Sequence, residues 1–221
     1  MANLKFTGLI TGSAAPRVQR LPIKTEADID EGTIIALDNT GKFTVGTDEN
    51  TKCIIGTVAC DYKCDADEFT PENGSGLVRV NISGNSVYAL ALPTFTCSAD
   101  SENACVTVGQ TEYASIAQSV AGGSLILNKK GETSNCSLNV GDKVEIASAD
   151  ATDGYLVITL SDNCTIGAGD TFTFVPQLGY DALTEKNGKL LFDGEKKSAK
   201  VIGCDDAGKN AYVVLCDTFL A

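Results

Sequence analysis

Short runs of β-branched residues, separated by Gly, Asn and Asp, recur along the whole chain and constrain its fold more than any other feature. Val, Ile and Thr together make up 52 of the 221 residues, and such enrichment between turn residues is typical of short β-strands. Residues 77–82 alternate apolar and polar side chains, and residues 86–92 follow Gly84-Asn85, so this pair is predicted to form a hairpin. Further strands are predicted at 154–160, 170–175 and 210–216. The sequence therefore predicts an all-β fold.

One segment departs from this pattern. Only residues 111–121 place apolar side chains at helical spacing, and Gly122-Gly123 follows as a terminator. At most one short helix is therefore predicted.

Charge and composition exclude several function classes. The chain has no histidine, and its 17 basic and 29 acidic residues give a net charge of −12. Histidine is the commonest general base and metal ligand, so triad and ordinary zinc-hydrolase chemistry are excluded. The acidic surplus argues against a nucleic-acid partner. No stretch approaches the roughly 20 apolar residues that span a bilayer, so no membrane partner is predicted.

The cysteines and acidic runs do not indicate a metal site. The nine cysteines contain no CxxC pair and are interpreted as reduced residues of a protein made in a cytoplasm. Cys97 and Cys105 bracket a short loop and are a candidate disulfide pair, with free thiols as the alternative. Neither the spacing of Cys53, Cys60 and Cys64 nor the acidic run Asp61, Asp65, Asp67 and Glu68 matches a zinc or calcium site. No catalytic residue, metal or cofactor is predicted.

A local pattern recurs three times: an aliphatic residue, two further residues, Gly, then Thr or Asp, and then alternating apolar side chains. The three glycines are Gly32, Gly141 and Gly169. Glycine permits the positive φ that a tight turn often needs, and the alternation starts a strand with one face inward. The pattern predicts either a generic turn before a strand or a repeated building unit.

A longer echo links two segments 147 residues apart. The first contains Gly41-Lys42-Phe43 and Ile54-Ile55-Gly56, and the second contains Gly188-Lys189-Leu190 and Val201-Ile202-Gly203. The echo predicts two related modules, residues 25–95 and 138–221, with residues 96–137 as a connecting segment that holds the short helix. Close backbone approach or an unusual φ is expected at Gly56 and Gly203.

Residues 1–24 differ in charge from the rest of the chain. They carry four basic residues and no acid, which gives +4, whereas the remainder carries −16. This contrast predicts an extended arm that lies on another protein and adds a strand to its sheet. The candidate contacts are the apolar anchors Phe6, Leu9 and Ile10 and the carboxylate-binding Arg17 and Arg20. A flexible tail, or simply the first strand of the domain, is the alternative.

The order of residues from Gly32 to Ala59 points to a family. Gly32-Thr33, a strand that ends Ala36-Leu37-Asp38, a turn, Gly41-Lys42-Phe43, a polar loop and Ile54-Ile55-Gly56-Thr57-Val58-Ala59 follow one another. This order resembles the small head-decoration, or capsid-cement, proteins of tailed bacteriophages, and residues 182–205 resemble it a second time. The resemblance implies β-tulip or small β-barrel modules and trimers.

The same resemblance implies a role without catalysis. It implies a virion structural protein that binds the major capsid protein across capsomers on the capsid exterior, after synthesis in the host cytoplasm. Another virion β-structure, such as a head fibre, a tail-tube component or a host-binding adhesin, is the alternative. A carboxylate-dependent hydrolase is a third hypothesis, although no spacing selects two of the 29 acids.

Overall fold

The computed structural model describes residues 3–10, 17–24, 27–46, 51–62, 75–82, 84–117, 122–194, 197–205 and 208–216. These residues form nineteen strands and one 3-10 turn, Thr111–Tyr113, so the all-β prediction is confirmed. In chain order the strands are β1 (Leu4–Leu9), β2 (Val18–Lys24), β3 (Ile34–Asp38), β4 (Phe43–Val45), β5 (Thr51–Val58), β6 (Ser75–Asn81), β7 (Ser86–Ala91), β8 (Thr94–Thr96), β9 (Ser101–Glu102), β10 (Ala104–Val108), β11 (Gly123–Lys129), β12 (Lys143–Thr152), β13 (Tyr155–Leu160), β14 (Thr165–Ile166), β15 (Thr171–Pro176), β16 (Thr184–Lys186), β17 (Lys189–Leu191), β18 (Ala199–Cys204) and β19 (Asn210–Leu215).

The N-terminal part of the chain forms a closed five-stranded barrel in the order β2-β4-β3-β5-β6. Side chains alternate between the two faces of a strand, so every second residue points into the barrel. The barrel core is aliphatic and consists of Leu21, Ile23, Ile29, Ile35, Val58, Val78, Val80 and Ile82. A small β-barrel is therefore present and spans Val18 to Asn81.

A six-stranded sheet forms the middle of the molecule, in the order β10-β13-β12-β11-β15-β8. Its two edge strands approach each other, because the Ser98 N–H donates to the Val106 carbonyl at 2.7 Å. The structure joins Cys97 to Cys105 by a disulfide across these edges, with a Cα–Cα distance of 5.4 Å. Among the other described cysteines, those at positions 53, 60, 136, 164 and 204 are free thiols.

A four-stranded sheet, β1-β7-β19-β18, brings the first and last strands of the chain together. It shares one hydrophobic core with the six-stranded sheet. Aromatic rings fill this core: Phe174 lies edge-on to both Tyr180 and Phe192, with ring centroids 5.6 and 5.5 Å apart.

The N-terminal segment differs from the predicted extended arm. Strand β1 pairs with β7, and β2 pairs with β6, so both belong to sheets of this chain. The Asn3 side chain bonds both the N–H and the carbonyl of Leu190, and Leu4 is buried. The first-strand alternative fits the described part of this segment, because its strands pair within the chain's own sheets and Leu4, Leu21 and Ile23 are buried.

The sheets also cross the predicted module boundaries. Strands β10 and β11 lie within residues 96–137, yet they pair with β13, β12 and β15 in one sheet. Residues 96–137 are therefore not a connecting segment. Residues 25–95 divide among the barrel, the four-stranded sheet and the start of β8 in the six-stranded sheet. Residues 138–221 divide among the six-stranded and four-stranded sheets, the hairpin β16-β17 and the short pair β14-β9.

The predicted hairpin of residues 77–82 and 86–92 is wrong in its pairing, although both strands exist. Both edges of β6 are occupied by β2 and β5, so β7 pairs instead with β1 and β19. The predicted helix at residues 111–121 is reduced to the 3-10 turn and a further turn up to Ala117, and residues 118–121 lie outside the described part of the chain.

The three copies of the glycine pattern, here called the initiating turns, fold alike. Gly32, Gly141 and Gly169 have φ of +83°, +94° and +83°. In each turn the N–H of the residue after glycine donates to the carbonyl three residues earlier, at 2.9 to 3.2 Å. Each glycine N–H also donates, at 2.8 Å, to a residue of another segment, whose own N–H returns a bond to the residue after glycine. These partners are Val58, Leu127 and Cys97.

The two echo segments share their local conformation. Each has a short hairpin turn with a left-handed glycine, Gly41 at φ +79° and Gly188 at +73°. Each then has a strand whose register shifts just before its glycine, Gly56 in β5 and Gly203 in β18. A Cβ on Gly56 would collide with the Asn81 carbonyl oxygen, which fits the expected close approach. The expectation fails at Gly203, where the nearest atom would lie 3.8 Å away.

Candidate interaction surface on the barrel

All three arginines of the chain belong to one pair of barrel strands or adjoin it. Arg17 directly precedes β2, Arg20 lies within β2, and Arg79 lies within β6. The remaining basic residues are all lysines. Arginine presents a planar fork of donors that matches a carboxylate, and lysine does not. This strand pair is therefore a candidate site for binding carboxylates.

Strand register places two of these arginines side by side on the outer face of the barrel. Arg20 and Arg79 are direct partners in the antiparallel pair β2-β6. Their neighbours Leu21 and Val78 point inward and are buried, so both arginines point outward and are exposed. Side chains at directly opposed positions lie about 4.5 to 5.5 Å apart at Cβ. The two guanidinium groups therefore share one patch of surface.

Apolar side chains flank this arginine pair. Leu77 and Val18 occupy the same outward face and are 61% and 39% exposed. Pro22, opposite Leu77, is also exposed. We call the outward side chains Val18, Arg20, Pro22, Leu77 and Arg79 the arginine face.

The two arginines of the arginine face have no ion-pair partner within the described part of the chain. Neither Arg20 nor Arg79 forms a side-chain hydrogen bond or ion pair with another described residue. Like charges directly opposite each other in a sheet destabilise it. The opposed pair is therefore unfavourable by itself, and an acidic group that binds both arginines would relieve the repulsion.

A groove of about 210 Å³ adjoins the arginine face. Phe6 of β1 and Val18 and Arg79 of the arginine face contribute to its walls. The other lining residues are Glu31, Gly32, Thr57, Val58, Ala59 and Asn81. The groove therefore combines apolar surface with one guanidinium, and Glu31 is its one ionisable acid.

A second cavity, of about 240 Å³, opens on the inner side of the same strand β2. Its lining is mainly apolar and consists of Leu21, Leu37, Phe43, Ile55 and Ile82, with Arg17 and Gln19. Because Gln19 and Leu21 alternate with Arg20, this cavity and the arginine face lie on opposite sides of β2.

The structure brings together only part of the predicted arm site. Arg20 lies on the arginine face, Arg17 lines the inner cavity, and Phe6 packs edge-on against Tyr88 with ring centroids 6.0 Å apart. Leu9 is half-buried opposite Ser86, and Ile10 is 54% exposed while its N–H donates to Asn85.

Sequence reasoning missed Arg79, Leu77 and Val18. Alternation in residues 77–80 indicates that Leu77 and Arg79 share one face. The sequence gives no signal that this face aligns with Arg20, because the two strands are far apart in the chain.

The most deeply buried carboxylate in the described ranges, that of Asp170, has a structural role. Asp170 accepts hydrogen bonds from the Gly131 N–H at 2.8 Å and the Gly167 N–H at 2.7 Å. Burial alone raises the pKa of Asp170, but these bonds and that of the Ser134 hydroxyl outweigh burial and hold the pKa below its ordinary value. Asp170 therefore remains an ionised acceptor that ties two loops together.

The free thiols and acids do not assemble reactive chemistry in the described ranges. Burial raises the pKa of the Cys136 and Cys164 thiols, which keeps them protonated and poorly nucleophilic. Among the residues with described positions, no three Cys, Asp or Glu side chains group closely enough to hold a metal ion. Cys64, Asp65, Asp67 and Glu68 lie outside those positions. No helix in the described ranges is long and apolar enough to cross a membrane.

Comparisons with protein-family models, with curated proteins and with solved structures find no match.

Proposed function

We propose that this chain is a non-enzymatic virion structural protein that decorates and stabilises a phage capsid by binding across capsomers. The observation that carries the proposal is the arginine face: two opposed, exposed arginines between apolar side chains, with no ion-pair partner among the described residues. A carboxylate of a partner would bind both guanidinium groups and relieve their repulsion. The order of residues Gly32 to Ala59, which resembles head-decoration proteins, supports the same role.

The proposed mechanism is thermodynamic. A protein that binds the mature shell lattice and not the separated capsomers stabilises that lattice by linkage. The contribution of each copy is added over many lattice sites, so a modest contact suffices. The acidic remainder of the chain, at −16, keeps a densely covered particle soluble. Trimers, which the resemblance implies, would place three barrels around one local symmetry axis.

The proposal is tested by mixing the purified chain with heads of the encoding virus that lack it. Sedimentation of the heads is expected to carry the chain down to a fixed, saturable stoichiometry, and decorated heads are expected to withstand more heat. Saturable binding to purified tails or to host cells, without binding to heads, would favour the head-fibre, tail-tube or adhesin alternative. Failure to bind any virion part would refute the structural role.

A further inference from the structure

The arginine face restricts the chemistry of its partner. The two guanidinium groups lie opposite each other and have no carboxylate partner among the described residues. Arginine forks bind carboxylates through two parallel hydrogen bonds, and one carboxylate between two guanidinium groups cancels their repulsion. An acidic side chain is therefore the complementary group.

The side chains around the arginines indicate that the partner also contributes an apolar group. Leu77 and Val18 expose aliphatic surface on either side, and the 210 Å³ groove beside Arg79 has Phe6 in its wall. Burial of such surface contributes to binding, whereas a purely ionic partner would leave it in water. The net charge of −12 opposes a nucleic-acid backbone. A protein surface with an acid beside an apolar side chain fits both features.

We propose that the arginine face is the capsid-binding surface and that it receives a protrusion of the shell protein with one carboxylate next to an apolar side chain. Arg20 and Arg79 share the carboxylate, and the groove beside Phe6 holds the apolar side chain. This inference rests on the proposed function. It assigns the capsid contact to strands β2 and β6 of the barrel instead of to a free N-terminal arm.

The chain offers a matched control for the arginine pair. Lys186 and Lys189 are also direct cross-strand partners, in the hairpin β16-β17, and both are exposed. Replacing either pair with glutamine removes the same charge from two opposed positions. Only the arginine pair adjoins the groove with Phe6 in its wall.

The test measures the affinity of the full-length chain for undecorated heads at two salt concentrations. Arg20→Gln/Arg79→Gln is expected to bind at least about tenfold more weakly, with a smaller salt dependence, whereas Lys186→Gln/Lys189→Gln is expected to stay within about twofold. Arg20→Lys/Arg79→Lys is expected to bind with intermediate affinity, because it keeps the charge and loses the fork. Equal affinity of the wild type and the arginine variant would overturn the inference while the proposed function stands.

A second variant keeps the test decisive if the arginine variant folds poorly. Leu77→Glu changes an exposed side chain of the arginine face and places an acid there. It is expected to weaken head binding at least about tenfold through repulsion of the partner's carboxylate. Unchanged binding by this variant, with an unchanged melting temperature, would overturn the inference.

A second copy of the chain, or DNA, at the arginine face would each give a different binding result. If the wild type forms oligomers without heads and Arg20→Gln/Arg79→Gln dissociates them, a second copy occupies the face and the inference is overturned. Binding of naked double-stranded DNA that disappears in the same variant would overturn it as well. If the wild type does not bind heads at all, the proposed function itself fails.

Discussion

The barrel segment Ile34–Val58 and the C-terminal segment Thr184–Cys204 share a sequence pattern and a local conformation, but they depend on different glycines. In the barrel, the strand glycine Gly56 is tightly enclosed and the turn glycine Gly41 is open. In the C-terminal segment, the turn glycine Gly188 is enclosed and the strand glycine Gly203 is open. The shared pattern therefore sets the turn and the register shift, and tertiary packing decides which glycine is indispensable.

The cause of this reversal lies in where each segment packs. Gly56 faces the Asn81 backbone where β5 runs beside β6 inside the closed barrel. Gly188 packs against the outside of the barrel, where its carbonyl accepts from the Ile34 N–H at 2.9 Å and its own N–H donates to Gly46 at 2.7 Å. The C-terminal hairpin is thus docked on the barrel segment that it resembles.

The largest expected difference in stability is between variants of the two strand glycines, Gly56 and Gly203. Gly56→Ala places a Cβ against the Asn81 backbone, which cannot rotate away, so we expect a loss on the order of 3 kcal/mol in the free energy of unfolding. The melting temperature is expected to fall by roughly 6 to 12 °C. Gly203→Ala meets open space and is expected to change stability by less than about 0.5 kcal/mol. Equal melting temperatures for the two variants would contradict the difference in packing between Gly56 and Gly203.

A smaller loss of stability is expected at the two turn glycines, and here the C-terminal glycine is the more sensitive of the two. Both have positive φ, so alanine costs about 1 kcal/mol at Gly41 from backbone strain alone. At Gly188 the new Cβ would also lie 2.6 Å from Thr33 Cγ2 and 2.8 Å from Val45 Cγ1, so we expect about 2 kcal/mol. Chemical denaturation of both variants measures the difference. A greater loss in Gly41→Ala than in Gly188→Ala would contradict the docking of the C-terminal hairpin.

The smallest difference in stability is expected between two of the initiating turns. Asp142 and Asp170 occupy the same position in these turns. Asp142 Oδ2 accepts from the Asn139 N–H at 2.7 Å in a more exposed turn, whereas Asp170 is fully buried and bonds two loops. Asp170→Asn turns an amide donor toward one of those N–H groups, so we expect a loss of about 1 to 2 kcal/mol, and less than about 1 kcal/mol for Asp142→Asn.

The pH dependence of the Asp170→Asn effect separates charge from packing. Because the folded pKa of Asp170 lies below its unfolded value, the ionised group stabilises the protein fully above about pH 4. That contribution is lost as the pH falls through the lowered folded pKa. The stability gap between wild type and Asp170→Asn is therefore expected to narrow on acidification, and a constant gap would assign the effect to packing alone.

Local features of this fold were predictable and long-range features were not. The strands at 154–160, 170–175 and 210–216 and the three initiating turns depend on neighbouring residues, so the sequence patterns indicate them. The pairing of β6 with β2 instead of β7 depends on which sheet edges are already occupied. The arginine face depends on that same pairing, so Arg20 was identified from the sequence and its partner Arg79 was not.

The most direct test of the account is an electron microscopy reconstruction of heads carrying this chain, compared with heads that lack it. Extra density is expected at regular positions between capsomers, with strands β2 and β6 of the barrel against the shell and an acidic side chain of the shell protein between Arg20 and Arg79. Identical reconstructions with and without the chain, or bound density whose barrel strands β2 and β6 face solvent, would contradict it.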